Sequence, residues 1–172
     1  MPAIQDHRTM RAIVTPTGAF TLGTETFPAA TGWAGVRADK REGDGTTPAA
    51  LLPLRRVLYR PDRVTPPICA VPTQPITPDD GWCDDPAHPS YNCQVSLPIS
   101  ASAEALWRDD AIYDIIVILG WNDAPICPGS GSAIFLHLAR ETFAPTEGCI
   151  ALAAADLRHV LALGLTEILV TQ

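Results

Sequence analysis

No apolar run in this chain approaches the roughly 18–20 residues needed to cross a bilayer as a helix. The opening segment, Met1 to Arg11, is polar and has no apolar core of the signal-peptide type, so the sequence leaves the export route open. Basic residues are scarce: 12 Lys and Arg stand against 19 Asp and Glu, for a net charge of −7. A polyanion would be repelled, and no Lys/Arg stripe reverses this, so nucleic-acid binding is not expected. Charged residues make up only 18% and hydrophobic ones 47%, a balance that argues against wholesale disorder. Cysteine is sparse and carries no C-x-x-C pair, so a structural zinc site is not expected.

The five cysteines, Cys69, Cys83, Cys93, Cys127 and Cys149, are odd in number, so at least one is unpaired within a monomer, the expected state. Cys83 and Cys93 flank a short loop; bridged and reduced forms are both compatible with the sequence. A length of 172 residues favours a single domain over 1–172 with a core that needs no staples. The 17 prolines cluster between residues 48 and 98, where they disfavour long helices and central strands.

Apolar stretches at Arg11 to Val14 and Ala19 to Leu22, separated by Thr15-Pro16-Thr17-Gly18, predict strand, turn and strand. Further strands are expected at Trp33 to Val36 and Leu51 to Tyr59, with a polar, glycine-rich loop over residues 39 to 48 between them. Residues 61 to 98 read as a long irregular excursion. The runs Ile115 to Leu119 and Ala133 to Leu138 are short, apolar and β-branched or aromatic, which predicts buried strands. Leu157, Val160 and Leu161 have helical spacing over residues 154 to 163, with Gly164 as C-cap, and Thr166 to Thr171 closes with a strand. The fold class expected is mainly β with one or two short helices.

The chemistry concentrates near the C-terminus. His137 ends an apolar strand, and Cys149 follows twelve residues later in Pro145-Thr146-Glu147-Gly148-Cys149-Ile150. A strand and a tight loop can bring thiol and imidazole together. The thiolate is the nucleophile, and a nearby imidazole lowers the thiol pKa by stabilising that anion. Gly148 permits close backbone approach, and the amides of Gly148 and Cys149 are candidate oxyanion donors. A lone buried Cys is more often a small core residue, and a lone His on an apolar strand a satisfied core histidine, so spacing alone does not decide.

The surrounding residues do more. Gly131-Ser132-Ala133-Ile134-Phe135-Leu136-His137, followed by Thr146-x-Gly148-Cys149-Ile150, resembles the catalytic motif of the L,D-transpeptidase (YkuD-like) family. The loop Lys40 to Pro48 is similar to that family's Lys-x-Gly-Asp-Gly-x-Thr-Pro segment, and the two motifs occur in the family's order. Thr15-Pro16-Thr17-Gly18-Ala19-Phe20 mimics part of the signal but reads as an ordinary hairpin turn. The resemblance implies a β-sandwich catalytic domain, an active-site thiol, and peptidoglycan stem peptides as substrate. The implied reaction is attack on a stem-peptide amide, an acyl-enzyme on Cys149, and resolution by a diaminopimelate amine, which makes a cross-link. It also implies a periplasmic or envelope location and no metal or organic cofactor.

The chain departs from the family in having Ala151 where Arg or Asn is common and Glu147 in place of the frequent His. Arg140 is the candidate replacement cation; a solvated surface Arg reads as well. Trp82-Cys83-Asp84-Asp85-Pro86 and Trp107-Arg108-Asp109-Asp110 resemble a proteobacterial subgroup associated with 1–3 links, L-alanine to diaminopimelate. On that basis Trp82 and Trp107 are candidate groove walls. Asp84, Asp85, Asp109 and Asp110 are candidate ammonium contacts, with turn capping as the plainer alternative. Tyr113, Asn122 and Thr146 are further candidate binding residues. The second nitrogen of His137 needs a partner, which the sequence leaves undetermined: a carbonyl in the Pro128 to Ser132 loop fits, and Ser130 or Ser132 could contribute, with a side chain the less favoured choice. An L,D-carboxypeptidase or amidase on the same pair, and a non-catalytic peptidoglycan-binding module, are the alternative functions.

Overall fold

The computed structural model describes residues 9–172; the reading of the polar N-terminal segment lies largely outside the described residues. Fourteen strands and one α-helix follow in order. The N-terminal strands are β1 (Arg11–Val14), β2 (Ala19–Leu22), β3 (Glu25–Ala30), β4 (Val36–Arg37), β5 (Thr47–Pro48) and β6 (Leu51–Tyr59). Four short strands lie in the middle: β7 (Thr73–Pro75), β8 (Asp80–Cys83), β9 (Gln94–Ser96) and β10 (Ala103–Ala105). A 3-10 turn at Ala111–Tyr113 leads into β11 (Ile115–Leu119), β12 (Phe135–Leu138), β13 (Ile150–Leu152), α1 (Ala154–Ala162) and β14 (Glu167–Val170).

Nine strands join in the order β11-β12-β13-β3-β2-β1-β14-β6-β7, and β6 also pairs with β11. The first residues of β6 pair with β14 and the later ones with β11, while β3 pairs first with β2 and then with β13. These two strands therefore carry the chain from one layer to the other. The main core fills the space between the layers. Val14 and Phe20 come from one side, Val117, Leu136 and Ile150 from the other, and Leu157 and Leu161 of α1 cover it. Gly164 follows the helix at φ +93°, a left-handed conformation suited to glycine at a helix end.

Side-chain alternation along β12 produces two environments. Leu136 and Leu138 enter the main core, which turns Phe135 and His137 to the opposite face. There a second cluster gathers Phe135, Tyr113, Trp82, Leu106, Ile116 and Cys149. The three-stranded sheet β10-β8-β9 contributes to this cluster through Trp82. The functional face of β12 is thus enclosed by the insertion.

Two expectations need correction. Trp33 to Val36 is not a strand, apart from Val36 at the start of β4; the strand in this region is β3. Its sequence, Glu-Thr-Phe-Pro-Ala-Ala, contains a proline and lacks alternation, which hid it. Residues 61 to 98 are not wholly irregular, since they hold β7, β8 and β9. Strands of three or four residues between prolines are too short for periodicity to reveal. All five cysteines are free thiols, including Cys83 and Cys93. No helix among the described residues is long and apolar enough to cross a membrane.

Candidate active site

Strands β12 and β13 run parallel, with Leu136 beside Ile150 and His137 beside Ala151. Cys149 lies one residue before β13, level with Phe135, whose N–H donates to its Sγ at 3.4 Å. His137 and Cys149 therefore occupy diagonal positions on one face of two adjacent strands. Both line a cleft of about 520 Å³, as does Ala151, whose small side chain stands beside His137.

His137 is 5% exposed, and its Nδ1 lies 2.9 Å from the Leu138 carbonyl oxygen. A carbonyl only accepts, so Nδ1 carries the proton and Nε2 is left as the acceptor, the tautomer a general base requires. The partner that the sequence left undetermined is thus the neighbouring backbone carbonyl, and not one in the 128–132 loop or its serines. A strand-end histidine can fold back on its own chain, and sequence spacing does not reveal that. Burial, reinforced by Arg108 and Arg140 and opposed by the Leu138 contact, lowers the His137 pKa to about 4. The ring is neutral near pH 7.

Cys149 is 8% exposed, and its thiol donates to the Ala133 carbonyl at 3.2 Å. Burial first, and then the nearby Glu104 carboxyl, push its pKa up to about 12, with Lys40 and the Phe135 N–H opposing. This corrects the expectation of a thiol activated at rest. The two groups are not hydrogen-bonded to each other, and desolvation outweighs any help from a neutral imidazole. In the free protein the pair is thiol and imidazole, not thiolate and imidazolium.

The loop carrying Cys149 is fixed by Thr146. Its hydroxyl donates to the Cys149 carbonyl at 2.6 Å and accepts from the Gly148 N–H at 3.1 Å. The Gly148 amide is therefore already committed and does not serve as a free oxyanion donor, contrary to expectation. Glycine is needed at 148 for a different reason. Its φ is +144°, and a Cβ there would sit 2.7 Å from the Thr46 carbonyl oxygen.

Thr46 belongs to the glycine-rich loop singled out from the sequence. Asp44 there accepts from Lys40 Nζ (2.6 Å), the Arg41 and Thr46 amides, and the Thr46 hydroxyl. Burial opposes its ionisation, but these four donors win and hold its carboxyl far below the usual range. The loop thus forms a rigid floor against which Gly148 packs. Trp33 pins the outer side, its N–H bonded to the Thr146 carbonyl and its Nε1 to Glu147 at 3.0 Å.

Of the candidate binding residues, Tyr113, Asp84, Arg140 and Thr146 line the cleft with Cys149, Gly148 and His137. Trp82 does not. It is 6% exposed, meets Phe135 edge-on at 5.1 Å and donates to Asn92 Oδ1, so it packs the insertion onto the core. Asn122 is also a structural residue, since its amide ties the Cys127 and Gly131 backbone. Trp107 is covered by the Arg60 guanidinium at 3.6 Å. Asp85 caps the Ala87 amide. Asp110 binds Arg108 and Arg140, chiefly Arg108, which lowers its pKa to about 2; it is neutralised and not open to an ammonium group.

Two site residues were missed. Asn92 accepts from Trp82 and from the Ala133 N–H, and so helps hold Ala133 at φ +54° with its carbonyl on the thiol. Glu104 lines the cleft and accepts from the Tyr113 hydroxyl at 2.6 Å. A single Glu in Ala-Ser-Ala-Glu-Ala gives no signal in the sequence.

A buried thiol and a correctly tautomerised imidazole beside one cleft suit nucleophilic acyl transfer by cysteine. The family model described as the L,D-transpeptidase catalytic domain (YkuD) matches residues 10–166, and the chain belongs to that family. Among solved structures, the Mycobacterium tuberculosis L,D-transpeptidase 1 is similar, with a TM-score of 0.44 and 12% identity. That match covers 95% of this chain and 60% of the other, so this chain spans about 60% of the length of that structure. No curated protein matched the sequence.

Proposed function

We propose that the protein is a peptidoglycan L,D-transpeptidase that cross-links stem peptides through an acyl-enzyme on Cys149, with His137 as general base and acid. One observation carries the reading. An imidazole with Nδ1 tied to the Leu138 carbonyl, and Nε2 available, lines the same cleft as the Cys149 thiol.

The thiol is neutral at rest, so the donor peptide must draw Sγ away from the Ala133 carbonyl before reaction. As Sγ attacks the stem amide carbon, its proton passes to Nε2 of His137. The C–N bond then breaks, and His137 returns the proton to the departing amine. An acceptor amine attacks the resulting thioester and loses a proton to Nε2; the C–S bond breaks and the thiol is restored.

Peptidoglycan as substrate assigns the protein to the cell envelope. The Trp-Cys-Asp-Asp-Pro segment supports a 1–3 link between L-alanine and diaminopimelate. Incubation with sacculi, followed by mass spectrometry of muropeptides, tests both points. Cross-linked dimers carrying the 1–3 link are expected. Trimmed monomers alone would favour the carboxypeptidase reading. Cys149→Ala should abolish turnover with the fold intact, and normal turnover by that variant would remove the proposal.

A further inference from the structure

The charges lining the cleft are unequally satisfied. Every cation there has an acid partner: Lys40 pairs with Asp44, and Arg108 and Arg140 share Asp110. Four acids line the cleft without an ion pair among the described residues: Glu42 and Glu147, which accept from Tyr91 and Trp33, and the two that the insertion brings, Asp84 and Glu104. The placement of these last two follows from the insertion. Strands β8 and β10 pair so that Glu104 lies beside Trp82, and Asp84 follows directly at the end of β8.

Glu104 receives only a neutral donor, the Tyr113 hydroxyl. Burial raises its pKa, with the Tyr113 bond and Arg108 opposing and Asp84 adding to the rise. Asp84 Oδ1 is buried and has no hydrogen-bond partner. A second buried polar atom in the same cleft also lacks a hydrogen-bond partner. Ser132 is 8% exposed, lines the cleft, and its Oγ has no partner among the described residues. Buried acceptors without donors are costly and rare in folded proteins. Asp84 Oδ1 and Ser132 Oγ are two such atoms among the described residues, and with the Glu104 carboxyl in the same cleft they call for a guest that brings both positive charge and N–H groups.

We propose that Glu104 and Asp84 form a subsite for a primary ammonium group, which places the amine-bearing acyl acceptor beside Cys149 and takes its extra proton onto a carboxylate before the neutral amine attacks; the acceptor assignment rests on the transpeptidase reading above. A primary ammonium supplies three donors and one charge on a compact head. A quaternary ammonium would leave the acceptors unsatisfied. No group of three His, Cys, Asp or Glu side chains among the described residues is disposed to hold a metal ion, which sets a divalent cation aside. Glu104 accepts from Tyr113, whose ring meets that of His137 edge-on at 5.2 Å, so an ammonium there lies close to the reacting pair. Arg108 and Arg140, with Asp110 between them, give the cleft a second, cationic wall for the carboxylates of the same peptide.

The test is calorimetric titration of the full chain carrying Cys149→Ala, so that nothing turns over. Two ligands are compared: a disaccharide-tetrapeptide muropeptide with its free diaminopimelate amine, and the same muropeptide acetylated on that amine. The free amine is expected to bind about tenfold tighter, and Glu104→Gln or Asp84→Asn to remove most of that preference. Glutamine keeps an oxygen for Tyr113, so the change isolates the charge. Equal affinity for the two ligands overturns the inference without recourse to any acidic-site variant, as does a preference that persists in both variants. Acyl-enzyme formation on the unmodified protein, read separately as a mass shift on Cys149, reports on the transpeptidase reading itself. The two can therefore fail independently.

Discussion

Acidification from pH 7.5 to 4.5 reads the environment of His137 directly. In the folded protein the ring titrates at about 4, against 6.5 for the ordinary side chain, because burial disfavours its charge. Below pH 6.5 the unfolded chain takes up a proton that the folded chain refuses, so stability falls as pH drops. The loss levels off near pH 4, once the folded ring protonates too. At about 1.36 kcal/mol per pKa unit, the loss reaches about 2.5 kcal/mol at pH 4.5. Glu104 acts in the opposite sense over part of this range. Its folded pKa is raised, so its contribution is fully present below the ordinary value of 4.5 and is lost as pH rises through the folded pKa. Asp44 and Asp110 have lowered pKa values, and their contributions are lost only below 3.8, outside the interval. A difference measurement therefore isolates the histidine. Urea unfolding of the unmodified protein and of His137→Phe, at steps between pH 7.5 and 4.5, should give curves that diverge by about 2.5 kcal/mol, with the variant the flatter. Parallel curves would refute the argument that His137 is buried and neutral. The same lowered pKa predicts that kcat/KM keeps its value down to about pH 5, because the base must be neutral and stays so.

Other expectations follow from the same site. Cys149 should resist iodoacetamide at pH 7.5, where a pKa of about 12 leaves only about 3 × 10⁻⁵ as thiolate. The exposed Cys127 should label at least about a hundredfold faster by peptide mass spectrometry; equal rates would mean that the thiol is open and activated. Gly148→Ala should cost about 2 kcal/mol in denaturant melts and depress acylation strongly, since its Cβ would press on the Thr46 carbonyl at 2.7 Å. Asp44→Asn should destabilise by about 2 kcal/mol, because Lys40 is left buried without its counter-charge, and should slow acylation by loosening the floor under Gly148. Unchanged melting of this variant would show that the loop is not held by its ion pair. Trp82→Phe should lower stability by about 1 kcal/mol through loss of the Asn92 bond, yet leave the KM for the peptide substrate nearly unchanged.

Much of the frame was legible from the chain alone. The buried strands at Ile115–Leu119 and Phe135–Leu138, the helix over residues 154 to 162 and the strand at Glu167–Val170 each carry a local pattern strong enough to read. Strand β3 was not, because Pro28 and its mixed exposure break the alternation. The strands of the insertion were not either, since their stability comes from pairing with one another and from Trp82 against Phe135. Trp82 and Asn122 show the converse error. Residue type suggested ligand contacts, but an indole N–H and an amide are equally able to satisfy the protein's own backbone and side chains.

By itself, the sequence determined that an imidazole at 137 ends an apolar strand, that a thiol at 149 follows a glycine in a short loop twelve residues on, and that a glycine-rich segment lies upstream, because these features are local. Only the tertiary structure decided their protonation, their partners and which acids remain without a cation. Those properties depend on burial and on distances between groups far apart in the chain. The Leu138 carbonyl, the Ala133 carbonyl and the Glu104 side chain each act on the pair through packing that no spacing rule contains.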